Sequence, residues 1–255
     1  MNLVLVTQRV TIGSVNDMAN PYFQFKQFTV WHDRCAMKVG TDSVLLGAWT
    51  DFRGAVNILD IGTGSGILAL MAAQKAPNAQ IDAIDIDAAA AEQARENCSR
   101  SQWKERITVY HQSVQEFVDT TTKRYDIIIS NPPYFSKALK SPDKQRTTAR
   151  HDDHLDIKTL LEAANQFLES TGSLNLILPA EEGRQSIREA ARLGLTCLHQ
   201  TFVKPTESAV YKRCLLCFSK SLSPYYEDEF FIEAGKRHSF SYDYRQLTQD
   251  FYLNF

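Results

Sequence analysis

The stretch from Asn57 to Lys75 limits the fold more than any other part of the chain. Asn57-Ile58-Leu59-Asp60-Ile61 reads as a short buried strand and Gly62-Thr63-Gly64-Ser65-Gly66 as a turn. Ile67 to Lys75 reads as a helix, with Leu68, Met71 and Ala72 at helical spacing. Strand, glycine turn and helix in that order open a parallel crossover unit. The alternation then continues. Strands are predicted over Gln80–Ile84, Ile107–Tyr110, Tyr125–Ser130 and Ser173–Leu178, and helices over Ala88–Cys98, Val114–Val118, Ile157–Leu168 and Glu181–Leu193. Strands Thr196–Val203 and Arg213–Ser219 close the pattern. Apolar strands separated by helices imply an α/β protein with a mostly parallel sheet, helices on both faces and right-handed crossovers.

The 255 residues suit one large domain, expected over 21–255 with its segment 21–55 preceding the first crossover unit. Residues 1–20 are weakly patterned and are read as a disordered N-terminal extension, with Met18 as an alternative start. Phe23, Phe25, Phe28 and Val30 alternate with polar residues, which predicts a strand or hairpin, and the aromatic tail 242–255 is expected to dock as a helix or strand. A net charge of −2 excludes a global polycation, so any nucleic-acid surface must be a local patch. Five scattered cysteines argue against a disulfide framework. Cys214 and Cys217 lie inside an apolar run and read as strand cysteines, not metal ligands. No apolar run is long enough to span a membrane, and the start makes a poor signal peptide; a cytoplasmic protein without metal is expected.

Two polar constellations interrupt this pattern where chemistry belongs. The first is the turn itself. Glycines let the backbone approach a ligand closely and present N–H groups at a helix start. The spacing G-x-G-x-G departs from the dinucleotide pattern G-x-G-x-x-G, and Asp60 precedes the first glycine by two positions. A carboxylate there repels a pyrophosphate but pairs with a cationic amino-acid end, which favours S-adenosylmethionine. Asp85 ends the next strand, about 20 positions on, where a carboxylate holds a ribose diol. Asp82 and Asp87 are read as cap or surface groups. Ser113 has two readings, an adenine contact or a helix N-cap.

The second constellation is Asn131-Pro132-Pro133-Tyr134, directly after the strand Tyr125–Ser130. The prolines remove backbone donors and hold the chain extended at the ligand edge of the sheet. An amino group on a π system is a weak nucleophile because its lone pair is delocalised. If the Asn131 and Pro132 carbonyl oxygens accept its two N–H bonds, the lone pair is steered toward a methyl donor, while Tyr134 stacks on the ring. Beyond it lies a basic run, Lys137, Lys140, Lys144, Arg146 and Arg150, with Asp143 the sole acid from 135 to 150. It reads either as a phosphate-binding loop or as a solvated surface. His151 and His154 have no evident third ligand.

The turn, Asp85 and Asn131–Tyr134 resemble the class I S-adenosylmethionine-dependent methyltransferases of the amino-methylating N-P-P-Y branch. Phe25–Trp49 and Leu247–Leu253 resemble more narrowly the bacterial tRNA-Val adenine N6-methyltransferases, which modify the adenosine 3′ of the anticodon. The likeness runs from about Phe23 to the end. It implies a Rossmann-like, seven-stranded sheet whose last strand is antiparallel, with S-adenosylmethionine as cofactor and tRNA as substrate. By motif match, Asn131 and Tyr134 hold the adenine, while Asp60, Gly62, Gly64 and Asp85 hold the cofactor. Lys38, Gly40 and Thr41, within the family's Lys-Val-Gly-Thr-Asp motif, lie over the cofactor's methionine end. Where relatives commonly carry an acid, this chain has Ser113. A monomer is the favoured state. The alternatives are a protein glutamine methyltransferase and a non-catalytic RNA-binding protein on the same fold.

Overall fold

The computed structural model of the chain describes residues 20–133, 155–235 and 239–255. The expected disordered extension lies outside that set, except for residue 20, and so do Tyr134, the basic run and both His151 and His154.

A hairpin comes first, β1 (Tyr22–Gln24) paired antiparallel with β2 (Thr29–Trp31). Helix α1 (Thr41–Trp49) leads into β3 (Asn57–Ile61), α2 (Ile67–Lys75), β4 (Gln80–Asp85), α3 (Ala88–Ser99) and β5 (Ile107–His111). Then follow α4 (Val114–Thr120), β6 (Tyr125–Ser130), α5 (Ile157–Phe167), β7 (Leu168–Pro179), α6 (Ala180–Arg192), β8 (Thr196–Thr206), β9 (Arg213–Ser219), β10 (Tyr226–Glu233) and α7 (Tyr242–Thr248). Strands β3 to β10 form one sheet in the order β10-β8-β9-β7-β6-β3-β4-β5. Every pair in it is parallel except those made by β9. The expected seven strands with a reversed last member are therefore present as β3 to β9. An eighth, β10, adds to the outer edge of β8. Three acids in its first four residues, Glu227, Asp228 and Glu229, hide it in the sequence. On the edge they face water and cations, and Glu229 accepts from Lys204 Nζ at 2.9 Å.

The inner strands β3, β6 and β9 are buried on both faces, which is why they are almost continuously apolar. Ile58, Ile81, Ile127, Ile129 and Leu215 face α1, α2 and the C-terminal tail. Their neighbours Leu59, Ile61, Ile84, Ile128 and Leu216 face α4, α5 and α6. The tail docks as expected: Phe251 is buried, and Lys26 Nζ donates to the carbonyls of Gln249 and Phe255 at 2.6 and 2.8 Å.

Asp82 is a correction. It is neither a cap nor a surface group but sits inside, at 7% exposure, on β4. Its carboxylate accepts from the fully buried Tyr125 hydroxyl at 2.7 Å and from Lys123 Nζ at 2.8 Å. Burial, reinforced by Asp82, pushes the Tyr125 phenol well above its ordinary range. Asp87 does cap, accepting from Ala90 N at 2.8 Å. Replacing Asp82 by leucine leaves a buried hydroxyl and an ammonium without their partner, and should destabilise the fold by roughly 3 kcal/mol. Urea unfolding of Asp82→Leu checks this; a loss under 1 kcal/mol would show that the three groups are not coupled.

Candidate active site

The parallel strands deliver their carboxyl ends to one edge, and the polar residues gather there. At the end of β3, Asp60 is completely buried. One carboxylate oxygen, Oδ2, accepts from Thr63 Oγ1 at 2.5 Å and from Ala69 N at 3.1 Å. These bonds fold the glycine turn back over the strand and pin the first turn of α2. Oδ1 is buried and has no hydrogen-bond partner among the described residues. A buried acceptor without a donor is costly unless a ligand supplies one. Its carboxyl is pushed up to about 7, chiefly by burial, against the pull of Thr63 and Ala69.

Within the turn Gly62, Gly64 and Gly66 all have positive φ. Two of them need it for different reasons. Gly64, at φ 56°, aims its N–H at Asp85 Oδ2, 2.7 Å away, and the space where its Cβ would stand is open. Gly66, at φ 82°, starts α2 hard against α3, where a Cβ would meet Ala94 Cβ at 3.3 Å. The Asp85 carboxylate is fixed from both sides, since Oδ1 accepts from Asp87 N at 2.9 Å. Burial raises its carboxyl, opposed by these two backbone donors.

Asp85 and Gly62 line a small cavity together with Ile86, Gln112 and Ser113. The Ser113 side chain is engaged in a capping box: its hydroxyl accepts from Glu116 N at 3.1 Å and donates to Glu116 Oε2 at 2.9 Å. Its helix-cap reading accounts for the hydroxyl, and its place in the cavity wall keeps it beside the ligand edge. Ile86 is an exposed apolar side chain directly after Asp85, and sequence reasoning passed over it.

Asn131 stands at the end of β6, followed by buried Pro132. Ser130 Oγ donates to the Ile61 carbonyl at 2.7 Å, which ties the ends of β6 and β3 together and brings Asn131 beside the glycine turn. Asn131 Nδ2 donates to Ser43 Oγ at 2.9 Å. That bond commits the donor end of the amide and so distinguishes its acceptor end. Ser43 is a residue the sequence reading missed. A hydroxyl in the first turn of an apolar helix, right after Thr41-Asp42, was the only available signal.

The residues expected over the cofactor are more spread. Lys38 and Gly40 are exposed on the loop before α1; Gly40 has extended backbone and precedes the helix start at Thr41. Thr41 lines a separate, larger cavity. The same loop passes close to Asp85 and Asp87 at Cys35, whose thiol is pushed up to about 11 by burial and then by the charges of those two carboxylates. The segment is tethered by Asn97 of α3, another residue with no sequence signal. Its Nδ2 donates to the carbonyls of Trp31 at 2.7 Å and Ser65 at 2.8 Å, so one amide joins the hairpin to the glycine turn. Cys214 and Cys217 sit on β9 as expected of strand cysteines, with thiols raised by burial to about 12 and about 11.

Residues 36–202 match the methyltransferase small domain. The chain belongs to that family. It is 50% identical over 237 residues to the tRNA1(Val) (adenine(37)-N6)-methyltransferase of Phocaeicola vulgatus, an alignment covering 93% of this chain and all of the relative. The protein of the same name from Trichodesmium erythraeum is 45% identical over 240 residues, again covering 93% of this chain and all of the relative. Among solved structures, a predicted O-methyltransferase from Agrobacterium tumefaciens superposes with a TM-score of 0.62 at 20% identity, over 82% of this chain and 96% of that one, which supports the fold alone. Family and fold together imply S-adenosylmethionine as the methyl donor in general terms.

Asp60 gives the site a measurable signature. A carboxyl raised by folding contributes stability that is fully present below its unfolded value near 4 and is lost as pH rises through about 7. The ligand-free protein should therefore melt at a lower temperature at pH 8 than at pH 5.5, and Asp60→Asn should flatten that difference. Thermal melts of both proteins across this range check it; equal slopes would place the titration elsewhere.

Proposed function

We propose that this chain is an S-adenosylmethionine-dependent tRNA adenine N6-methyltransferase acting on the adenosine 3′ of the anticodon, position 37, of tRNA-Val. The observation that carries the reading is identity of 45–50% to relatives so named over more than nine-tenths of the chain. The site's chemistry agrees with it.

The residues present fit the cofactor. The unpartnered Asp60 Oδ1 suits the ammonium of the methionine end, directly or through water. Asp85, held rigid by Gly64 and Asp87, keeps lone pairs for two ribose hydroxyls. Ile86 and the wall at Ser113 offer an apolar slot for the adenine. Lys38 and Gly40, exposed on the loop before α1, stand on the N-terminal side from which the methionine end would be covered, while Thr41 faces the larger cavity. When bound, S-adenosylmethionine supplies a methyl group activated by its sulfonium.

The chain's own residues then do the positioning. Asn131 Oδ1 and the Pro132 carbonyl accept the two N–H bonds of the adenine amino group. This turns the nitrogen lone pair out of the ring plane and toward the cofactor half of the edge. Ser43 keeps the Asn131 amide from presenting its NH₂ end instead. Tyr134 stacks on the base and fixes the line of approach. In-line displacement needs alignment more than a strong base: the nitrogen becomes cationic as it takes the methyl and then releases one proton to solvent, so no general base is invoked. Lys137, Lys140, Lys144, Arg146 and Arg150, beyond Tyr134, neutralise phosphates of the RNA. The protein acts in the cytoplasm, where tRNA is matured. The described residues include no helix long and apolar enough to cross a membrane. A glutamine amide would fit the same two acceptors, but the named relatives favour the base.

Labelled methyl transfer to bulk tRNA, followed by nucleoside analysis, tests the reading: label should appear in N6-methyladenosine. Label recovered in protein, with none in RNA, would overturn it. In the same assay Asn131→Ala should lose at least 100-fold in kcat with cofactor affinity kept. Ser43→Ala should lose roughly tenfold, because the amide can then rotate. Unaltered turnover in Asn131→Ala would remove that residue from the chemistry.

A further inference from the structure

The edge of the sheet has a second half that the proposed reaction does not use. Cofactor residues lie at the ends of β3 and β4, and Asn131 ends β6 in the middle. On the other side, at the ends of β8 and β10 and the start of β9, is a cavity of about 830 Å³. That is ample for a nucleotide, since small-molecule sites run from about 300 to 1,000 Å³. Its walls include the rings of Phe240, Tyr252 and Phe255, with Asp42 on the α1 side, Glu233 at the end of β10, and Lys212 on the chain entering β9. The rings support one another: Phe255 stands edge-on to Phe240 at 5.1 Å and to Tyr252 at 5.2 Å. Lys212 is exposed and makes no ion pair among the described residues.

This cavity and the acceptor site flank the first turn of α1. Ser43, which holds Asn131, is the neighbour in sequence of Asp42, which lines the cavity wall and pairs with Arg213 Nε at 2.7 Å. Consecutive Cα atoms are about 3.8 Å apart, so the two sites meet within the reach of adjoining nucleotides. Chemistry on a base requires it to leave the stack, and its neighbour then loses a stacking partner. Single-stranded RNA is gripped by aromatic platforms beside cations that take the phosphate.

We infer that the cavity walled by Phe240, Tyr252 and Phe255 receives the base next to the methylated adenosine on the same RNA strand, with Lys212 on its phosphate. This rests on the tRNA reading above. The cavity is thus a subsite for substrate selection, separate from the cofactor half of the edge.

The test uses the full chain and full-length tRNA-Val in which the nucleotides flanking the target adenosine are replaced, one at a time, by an abasic ribose. With wild type, KM should rise about tenfold at one flanking position, with little change in kcat. Phe255→Ala should raise KM on intact tRNA by a similar factor, and the abasic substitution should then add nothing. Lys212→Glu, at an exposed position that leaves folding undisturbed, should also raise KM and reduce the salt slope by about one. If intact tRNA is methylated and neither abasic position matters, or the abasic penalty is the same in Phe255→Ala, the subsite is overturned while the methyltransferase reading stands. If intact tRNA is not methylated by wild type, the parent reading fails and takes this inference with it.

Discussion

A single carboxylate sets the geometry of the ligand edge. Asp60 is fully buried at the end of β3, and only one of its oxygens is bonded, to the Thr63 hydroxyl and the Ala69 N–H. Those two bonds define where the glycine turn lies and where α2 begins. From there the constraint spreads. Gly64 N–H reaches Asp85 only because the turn is folded back, and Gly66 lets α2 close on α3 without a side chain between them. A ligand that donates to the other oxygen would relieve the cost of burying an acceptor without a donor.

The part of the edge around Asn131 depends on tethers between distant parts of the chain. Asn97 joins the hairpin to the glycine turn, Ser43 joins α1 to Asn131, and Asp42 joins α1 to the start of β9. Helix α1 has no side-chain cap of its own. Its first turn is spent on holding two strand ends at fixed separation. The segment before the sheet is therefore part of the site, though its sequence looks like a connector.

The strands and helices were legible because both faces of a parallel sheet are buried and helical spacing differs from the strand period. The reversed β9 came from family resemblance, since its apolar run Cys214–Phe218 carries no direction. Strand β10 was missed because its acids look like loop and its pairing is to an edge. Asp82 was misread because its partners, Tyr125 and Lys123, lie on another strand and just before it, some forty positions away. Asp60, Asp85 and Asn131 were found because strand ends and glycine turns are local signals. Ser43 and Asn97 act through contacts more than thirty positions away, and nothing in their neighbourhood marks them.

The reversal of β9 has an effect beyond topology. Seven strands of the main sheet run toward the edge that carries Asp60, Asp85 and Asn131, whereas β9 starts there, so the short connection from β8 lies at that same edge. That connection, residues 207–212, shares no structural bond with Asp60, Gly64 or Asp85. Changes of length or charge in it would leave the hydrogen bonds of Asp60 and Asp85 in place. A fold arranged this way can keep one methyl source and exchange recipients by editing a handful of surface residues.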